Sequence, residues 1–449
     1  MTTNTTQRRG NYVLPIVIMF ALFFMIAFVT GYQNPLGDVI KNMTGGNVIL
    51  SQLGTFANFI AYACMGLPAG IILEKKGYRF TALSAVIVGF IGVLITYLSG
   101  FINGPEQSTT AVAVYICGAF VAGFSMCMLN TVVNPMLNSL GKNQNQGNQL
   151  VQFGGSCNSL GATLAPVIVG GLIGGSASTI SSANPVFFMA MGIFAVAALV
   201  LFFSKLPEAP DFGKKKEKVS AVGAFRYSNF TFGFLAIFCY VGIEVGIANW
   251  TYQYLSSPEV GALNSGIEAA AIAGTVVGIY WLLMLVGRLT GGAVGARISS
   301  RTMLTITSLG ATILLVLGIL TSGWIASFIG FDSQHFKFSI VEIPLNAVFF
   351  ILCGLCTSVM WGAIFNLSVN GLGKYTSIAS GLFMIMVCGG GVLPFLQGLI
   401  AKSSVLTSFW LPAALCVYLL LYALVLSRPS KKMPLEKERL YEDGKEIEA

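Results

Sequence analysis

The sequence predicts an all-α integral membrane protein whose twelve transmembrane helices form two six-helix bundles. Three observations predict it. Of 449 residues, 55% are hydrophobic and 9% charged, where a soluble domain carries about 25% charged residues. The apolar residues fall in twelve runs of roughly 20 residues or more, the length at which a helix crosses a bilayer core. One decapeptide also occurs twice. Residues 133–142 read VNPMLNSLGK and residues 365–374 read FNLSVNGLGK, agreeing at five of ten positions at an offset of 232 residues. Alternating segments of a membrane β-barrel are absent, and runs this long do not suit one.

Six spans are expected near 13–33, 51–73, 79–100, 110–140, 149–173 and 184–204, and six more near 230–255, 266–292, 302–322, 343–370, 375–400 and 404–427. The first is too long for a signal-peptide core and lacks a small-residue cleavage site, so it belongs to the mature chain. It ends in GYQNP (31–35), where Pro35 is expected to break the helix and free backbone groups near Gln33 and Asn34. The repeat closes spans four and ten. Spans five and eleven echo each other, with Pro166 and GGLI (170–173) against Pro394 and QGLI (397–400). The only charge-rich interior stretch lies between spans six and seven. The expected organisation is therefore a first bundle over 1–204, a linker over 205–229, a second bundle over 230–427 and a polar tail over 428–449. Two such halves in the same orientation imply a pseudo-two-fold axis along the membrane normal, with a site at the midplane between them.

Charge placement orients the chain. Of 25 Lys and Arg, only Lys41, Lys337 and Lys402 fall on the side opposite the termini. This bias puts both termini in the cytoplasm, in a multi-pass protein of the cell (inner or plasma) membrane. The run KKKEK (214–218) then reads as an orientation signal beside anionic lipid, not a nucleic-acid site. The nine cysteines lie in spans without zinc-type spacing and are expected as free thiols.

The loop between spans two and three reads GIILEKKGYRF (70–80). Its Gly70, Glu74, Lys75, Gly77 and Arg79 fit the pattern G-x-x-x-acidic-basic-x-G-x-basic and resemble the signature of the major facilitator superfamily. The resemblance implies contacts that form and break during gating at Glu74, Lys75 and Arg79. Further stretches resemble the fucose–proton symporter group of that superfamily: ALFF in span one, GLPAG (66–70), NTVVNPMLNSLG (130–141), CNSLGA (157–162), YVGIEVGIANW (240–250), YW followed by GR (280–288) and SGLFMIMVCGGGVLPFLQG (380–398). They cover nearly the whole membrane region and imply carriage of hexoses and related sugars. Proton-coupled fucose carriers have an Asp in span one and a Glu in span four, where this chain has Asn34 and Asn130. Proton coupling therefore does not transfer by resemblance.

Polar side chains in lipid need a partner, water or a substrate. Asn130, Asn134 and Asn138 share one face of span four at i, i+4 and i+8. Gln152 and Asn158 stand on span five. Amides offer both a donor and an acceptor, which a sugar hydroxyl needs; the same groups can instead brace helices. Aromatic faces suit the C–H faces of sugars, and Tyr240, Trp250, Tyr280, Trp281 and Trp361 are candidates, whereas Trp324 and Trp410 read as interfacial. The expected substrate-binding set is Gln33, Asn34, Asn130, Gln152, Asn158, Tyr240, Glu244, Asn249, Trp281, Trp361, Asn366 and Gln397. Glu244 stands deep in span seven. A carboxyl in a cavity that meets each side in turn can carry a proton, accept sugar hydroxyls or join a sodium site. Glu244 is thus the expected coupling residue. Arg288 reads as a gate contact or a cation reaching toward the interface.

No catalytic constellation, Walker loop or metal-ligand cluster accompanies these residues, and the single His335 stands alone in a loop. An enzyme, an ATP-driven pump, a cofactor, a metal and a nucleic-acid partner are not expected. The reading is a monomeric secondary transporter taking up a hexose or related monosaccharide by alternating access, with a proton or sodium ion as the coupling partner. The alternatives are a passive sugar uniporter, a drug or metabolite exporter of the same fold, and a non-transporting receptor.

Overall fold

The computed structural model describes residues 12–102, 108–141, 144–173, 179–204, 206–208, 221–257, 263, 269–294, 298–321, 323–332, 337–372, 375–428, 440–442 and 445–447. The KKKEK run, His335 and the side chains of Asn34 and Asn138 lie outside the described residues.

Among the described residues, eleven helical segments are long and apolar enough to cross a membrane, and one of them holds two spans. The first span is α1 (Val13–Gly31) followed by α2 (Gln33–Met43). The break between them is slight, for Tyr32 keeps helical angles and its N–H bonds the Phe28 carbonyl. Pro35 sits in the first turn of α2, where a missing N–H costs least, so the expected unwinding is small. Next, α3 (Val48–Ser99) is capped by the Asn47 side chain, which accepts from the N–H groups of Ile49 and Leu50. It contains spans two and three, which turn at Gly77 (φ 81°, ψ 178°), a conformation that favours glycine. Then come α4 (Ser108–Leu140), α5 (Gln144–Ile173) and α6 (Asn184–Phe203). These six spans make the first bundle.

A four-residue turn of helix, α7 (Ala221–Ala224), precedes the second bundle. Its spans are α8 (Ser228–Leu255), α9 (Ala269–Val294) and α10 (Ser300–Leu320), then α11 (Leu345–Thr357) with α12 (Met360–Val369), α13 (Thr376–Met386) with α14 (Gly389–Ala401), and α15 (Val405–Ser408) with α16 (Trp410–Leu421). A π-turn over Tyr422–Leu426 ends the last span. The two copies of the decapeptide fall at equivalent places, at the C-terminal ends of α4 and α12.

Strands also occur. Between α10 and α11, β1 (Ile325–Asp332) pairs antiparallel with β2 (Lys337–Pro344), from Ile325 opposite Pro344 to Asp332 opposite Lys337. The Leu345 N–H bonds the Trp324 carbonyl at 2.8 Å, fixing the hairpin to the start of α11. Both segments are rich in Ile, Val and Phe, which suit a pleated, half-buried surface. The sequence reading assigned this stretch to a loop, because hydropathy alone does not separate a short apolar strand from a helix end. A second, minor pair joins Leu440–Glu442 to Lys445–Ile447.

The bundles meet where helices lack side chains. On α9, a Cβ at Gly274 would stand 2.9 Å from the Pro166 carbonyl of α5, and one at Gly278 would stand 3.1 Å from the Thr163 carbonyl. Between α3 and α14, a Cβ at Gly391 would stand 2.8 Å from the Phe56 carbonyl, and the Phe56 and Phe395 rings pack at 5.1 Å. Small residues let membrane helices approach to backbone contact. These contacts join the bundles in the half of the membrane away from the start of α1, here the far face.

Candidate functional site

The seam between the bundles holds a charged pair. Glu244 stands midway along α8 and Arg288 on α9. Arg288 Nη2 lies 3.5 Å from Glu244 Oε1, and the two side chains are only 13% and 14% exposed. The other guanidinium nitrogen crosses to the first bundle, where Nη1 donates to the Gly155 carbonyl of α5 at 2.6 Å. One cation thus ties α8, α9 and α5 together. Arg's rigid fork of donors suits such a double engagement better than an ammonium would.

Aromatic residues surround the pair. Tyr240, one helical turn before Glu244, is fully buried. Its buried hydroxyl lies beside Glu244 and Arg288. The Tyr280 hydroxyl bonds the Glu244 backbone carbonyl at 3.1 Å and stands 3.2 Å from Thr357 Oγ1. Trp281 packs edge-on to Tyr280 at 5.1 Å, and Trp361 lies 6.1 Å from Tyr240. Gln152 faces the second bundle, its Nε2 lying 3.5 Å from where a Cβ on Gly362 would stand. The structure therefore brings Tyr240 and Arg288 to Glu244, with Trp361 against Tyr240, Trp281 against Tyr280 and Gln152 beside Gly362.

Two of the expected amides spend their donors inside the first bundle. Asn130 Nδ2 bonds the Tyr62 hydroxyl at 3.0 Å and the Met126 carbonyl at 3.1 Å. Asn158 Nδ2 bonds the Phe23 carbonyl of α1 at 3.1 Å. Both remain partly exposed, and their carbonyl oxygens stay available to hydroxyl donors. Four more lie elsewhere. Gln33 is buried and accepts from the Tyr115 hydroxyl at 2.7 Å. Gln397 is buried against Ser408, at 3.3 Å. Asn366 is exposed on α12. Asn249 donates to Gln52 across the bundles at 3.3 Å.

The turn at Gly77 is held within the first bundle. Glu208, just past α6, accepts from the N–H groups of Tyr78 at 2.7 Å and Arg79 at 3.4 Å, capping the start of span three. The Arg79 guanidinium donates to the Leu201 and Phe202 carbonyls at the end of α6, where the helix dipole is negative. Glu74 and Lys75 are exposed.

Several polar residues at the seam escaped the sequence reading: Asp38 and Lys41 on α2, Gln52 on α3 and Gln253 on α8. Asp38 falls between the first two expected spans, 13–33 and 51–73. The available signal was its i, i+3 spacing from Lys41, a cation on the side where few cations fall.

Two bundles of six spans, packed through glycines around a buried ion pair and its aromatic shell, define a membrane transporter. The chain belongs to the major facilitator superfamily, whose family model matches residues 18–393. It is 29% identical to the glucose/galactose transporter of Brucella abortus, over 94% of this chain and 96% of the relative. It is also 21% identical to the L-fucose-proton symporter of Escherichia coli, over 92% of this chain and 93% of that one. Among solved structures, the E. coli fucose:proton symporter superposes with a TM-score of 0.64 at 18% identity, covering 92% of this chain and 98% of that one. A D-xylose-proton symporter gives 0.68 at 14%, covering 93% and 98%.

Proposed function

We propose that the protein takes up a neutral hexose or related monosaccharide by alternating access, with the sugar held between the bundles beside Glu244 and Arg288. The observation that carries this reading is the pair itself, shared by α8 and α9 and tied to α5 of the other bundle. Its net charge is zero, its flanks offer Tyr240, Trp281 and Trp361, and an uncharged polyol with C–H faces matches that lining. The curated relatives named for glucose, galactose and fucose support the same class. The charge bias puts the termini in the cytoplasm and the far-face contacts outside. In this reading Glu244 is the coupling residue. Its carboxylate is held by Arg288 while the site is empty, and sugar or a cation arriving from outside competes for it.

A passive uniport is the second reading, favoured by the amides Asn34 and Asn130 at the two positions where the fucose carriers have acids. Uptake of a hexose panel into proteoliposomes, with pH and sodium gradients applied separately, tests both. Coupled uptake gives accumulation under one gradient and loses it in Glu244→Gln. Uniport gives equilibration under either gradient, and absence of flux for every sugar overturns the proposal.

A further inference from the structure

We propose that Asp38, Lys41 and Gln52 of the first bundle, with Asn249 and Gln253 of the second, form a polar latch that closes the far-face gate and parts whenever the site opens to that face. This rests on the alternating-access reading above. The buried Gln253 amide is used at both ends. Its Nε2 donates to Asp38 Oδ1 at 2.8 Å, and its Oε1 accepts from Lys41 Nζ at 3.4 Å. Asp38 and Lys41 stand three residues apart on α2 and so share a face. An acid and a base side by side offer a primary amide one acceptor and one donor, which are the two groups it needs. One turn earlier on α8, Asn249 Nδ2 donates to Gln52 Oε1 at 3.3 Å, making a second rung on the same helix face. Gln52, Asn249 and Gln253 are 4%, 3% and 4% exposed. Every rung crosses between bundles, and none touches the ion pair.

The latch accounts for Lys41, which stands against the charge bias of the chain: its cation has a partner on the other bundle. It also gives Asn249 a positioning role, because its donor is already spent on Gln52 in this conformation. A hydrogen bond to a charged group is stronger than one between neutral groups, so the Gln253 rung, with Asp38 at one end and Lys41 at the other, outweighs the neutral Asn249–Gln52 rung.

The test reads accessibility and needs no substrate. In a variant with the native cysteines replaced, Thr55→Cys places a thiol at a buried position on α3, one turn inward of Gln52. Its reaction with a membrane-impermeant maleimide added from the far face is timed. Adding Asp38→Ala or Gln253→Leu is expected to raise the labelling rate about tenfold, which corresponds to ~1.4 kcal/mol. The double variant is expected to add less than the sum of the two, since they share the Asp38–Gln253 bond. Unchanged labelling in these variants, or fully additive effects, would overturn the latch. Raised labelling in a protein that carries no sugar would uphold the latch while the sugar reading fails.

Discussion

Replacing Glu244 by glutamine is expected to cost more stability than replacing Arg288 by glutamine, and replacing both is expected to recover most of the loss. At 3.5 Å, with both side chains under 15% exposed, the pair's attraction is about 5 kcal/mol at an effective dielectric of ~20. Each group gives up hydration to be there, so the net value of the pair is far smaller. Glu244→Gln leaves a guanidinium that cannot shed its proton, held by the Gly155 carbonyl. Breaking a buried pair in this way costs about 3–5 kcal/mol. Arg288→Gln leaves a carboxyl that can take up a proton, so its cost is closer to that of an unmet hydrogen bond, about 1–3 kcal/mol. The double substitution removes both charges and is expected to unfold within about 1 kcal/mol of the parent. Thermal unfolding in detergent, followed with a thiol-reactive dye, reports this directly, since Cys127, Cys239, Cys353, Cys388 and Cys416 are buried in the folded chain. Sugar uptake should stay lost in the double variant despite its recovered stability. Two single variants of equal stability, with the double variant below both, would refute the reasoning.

Three further outcomes are expected. Gly77→Ala meets both a positive φ of 81° and the Glu208 carboxylate beside the new Cβ, so it should lose about 1–3 kcal/mol, whereas Gly70→Ala, with nothing within 4 Å, should unfold like the parent; the same dye assay compares them. Gly274→Val pushes against the Pro166 carbonyl at 2.9 Å and should weaken far-face closure, slowing sugar uptake while speeding maleimide labelling from that face. Trp361→Ala removes the ring beside Tyr240 and should raise the KM for sugar about tenfold with a smaller change in kcat, while Trp410→Ala, 47% exposed, should leave both unchanged.

The spans were legible because lipid forces the backbone to satisfy itself, and helices of fixed rise do so in runs whose length is set by the bilayer. The halves were legible from the repeat that ends α4 and α12. The hairpin over 325–344 was not, since its alternation is short and sits against the end of a span. Glu244 and the aromatics Tyr240, Trp281 and Trp361 could be singled out one at a time. Their association with Arg288 and Gly155 could not, because helical spacing says which residues share a face but not which faces meet across two bundles. Asp38 shows the same limit: its partner Gln253 is 215 residues away. Asn158 and Gln33 are amides in oily helices, as expected, yet their bonds to the Phe23 carbonyl and the Tyr115 hydroxyl follow from packing that no local pattern encodes.

The central claim is a sugar chamber at the seam between the bundles. A structure determined with a bound hexose tests it most directly. The account predicts the sugar within hydrogen-bond reach of Glu244 or Arg288 and of Gln152, with Trp361 or Tyr240 against its C–H face. A sugar bound elsewhere, with the ion pair undisturbed and Gln152 out of reach, would contradict it.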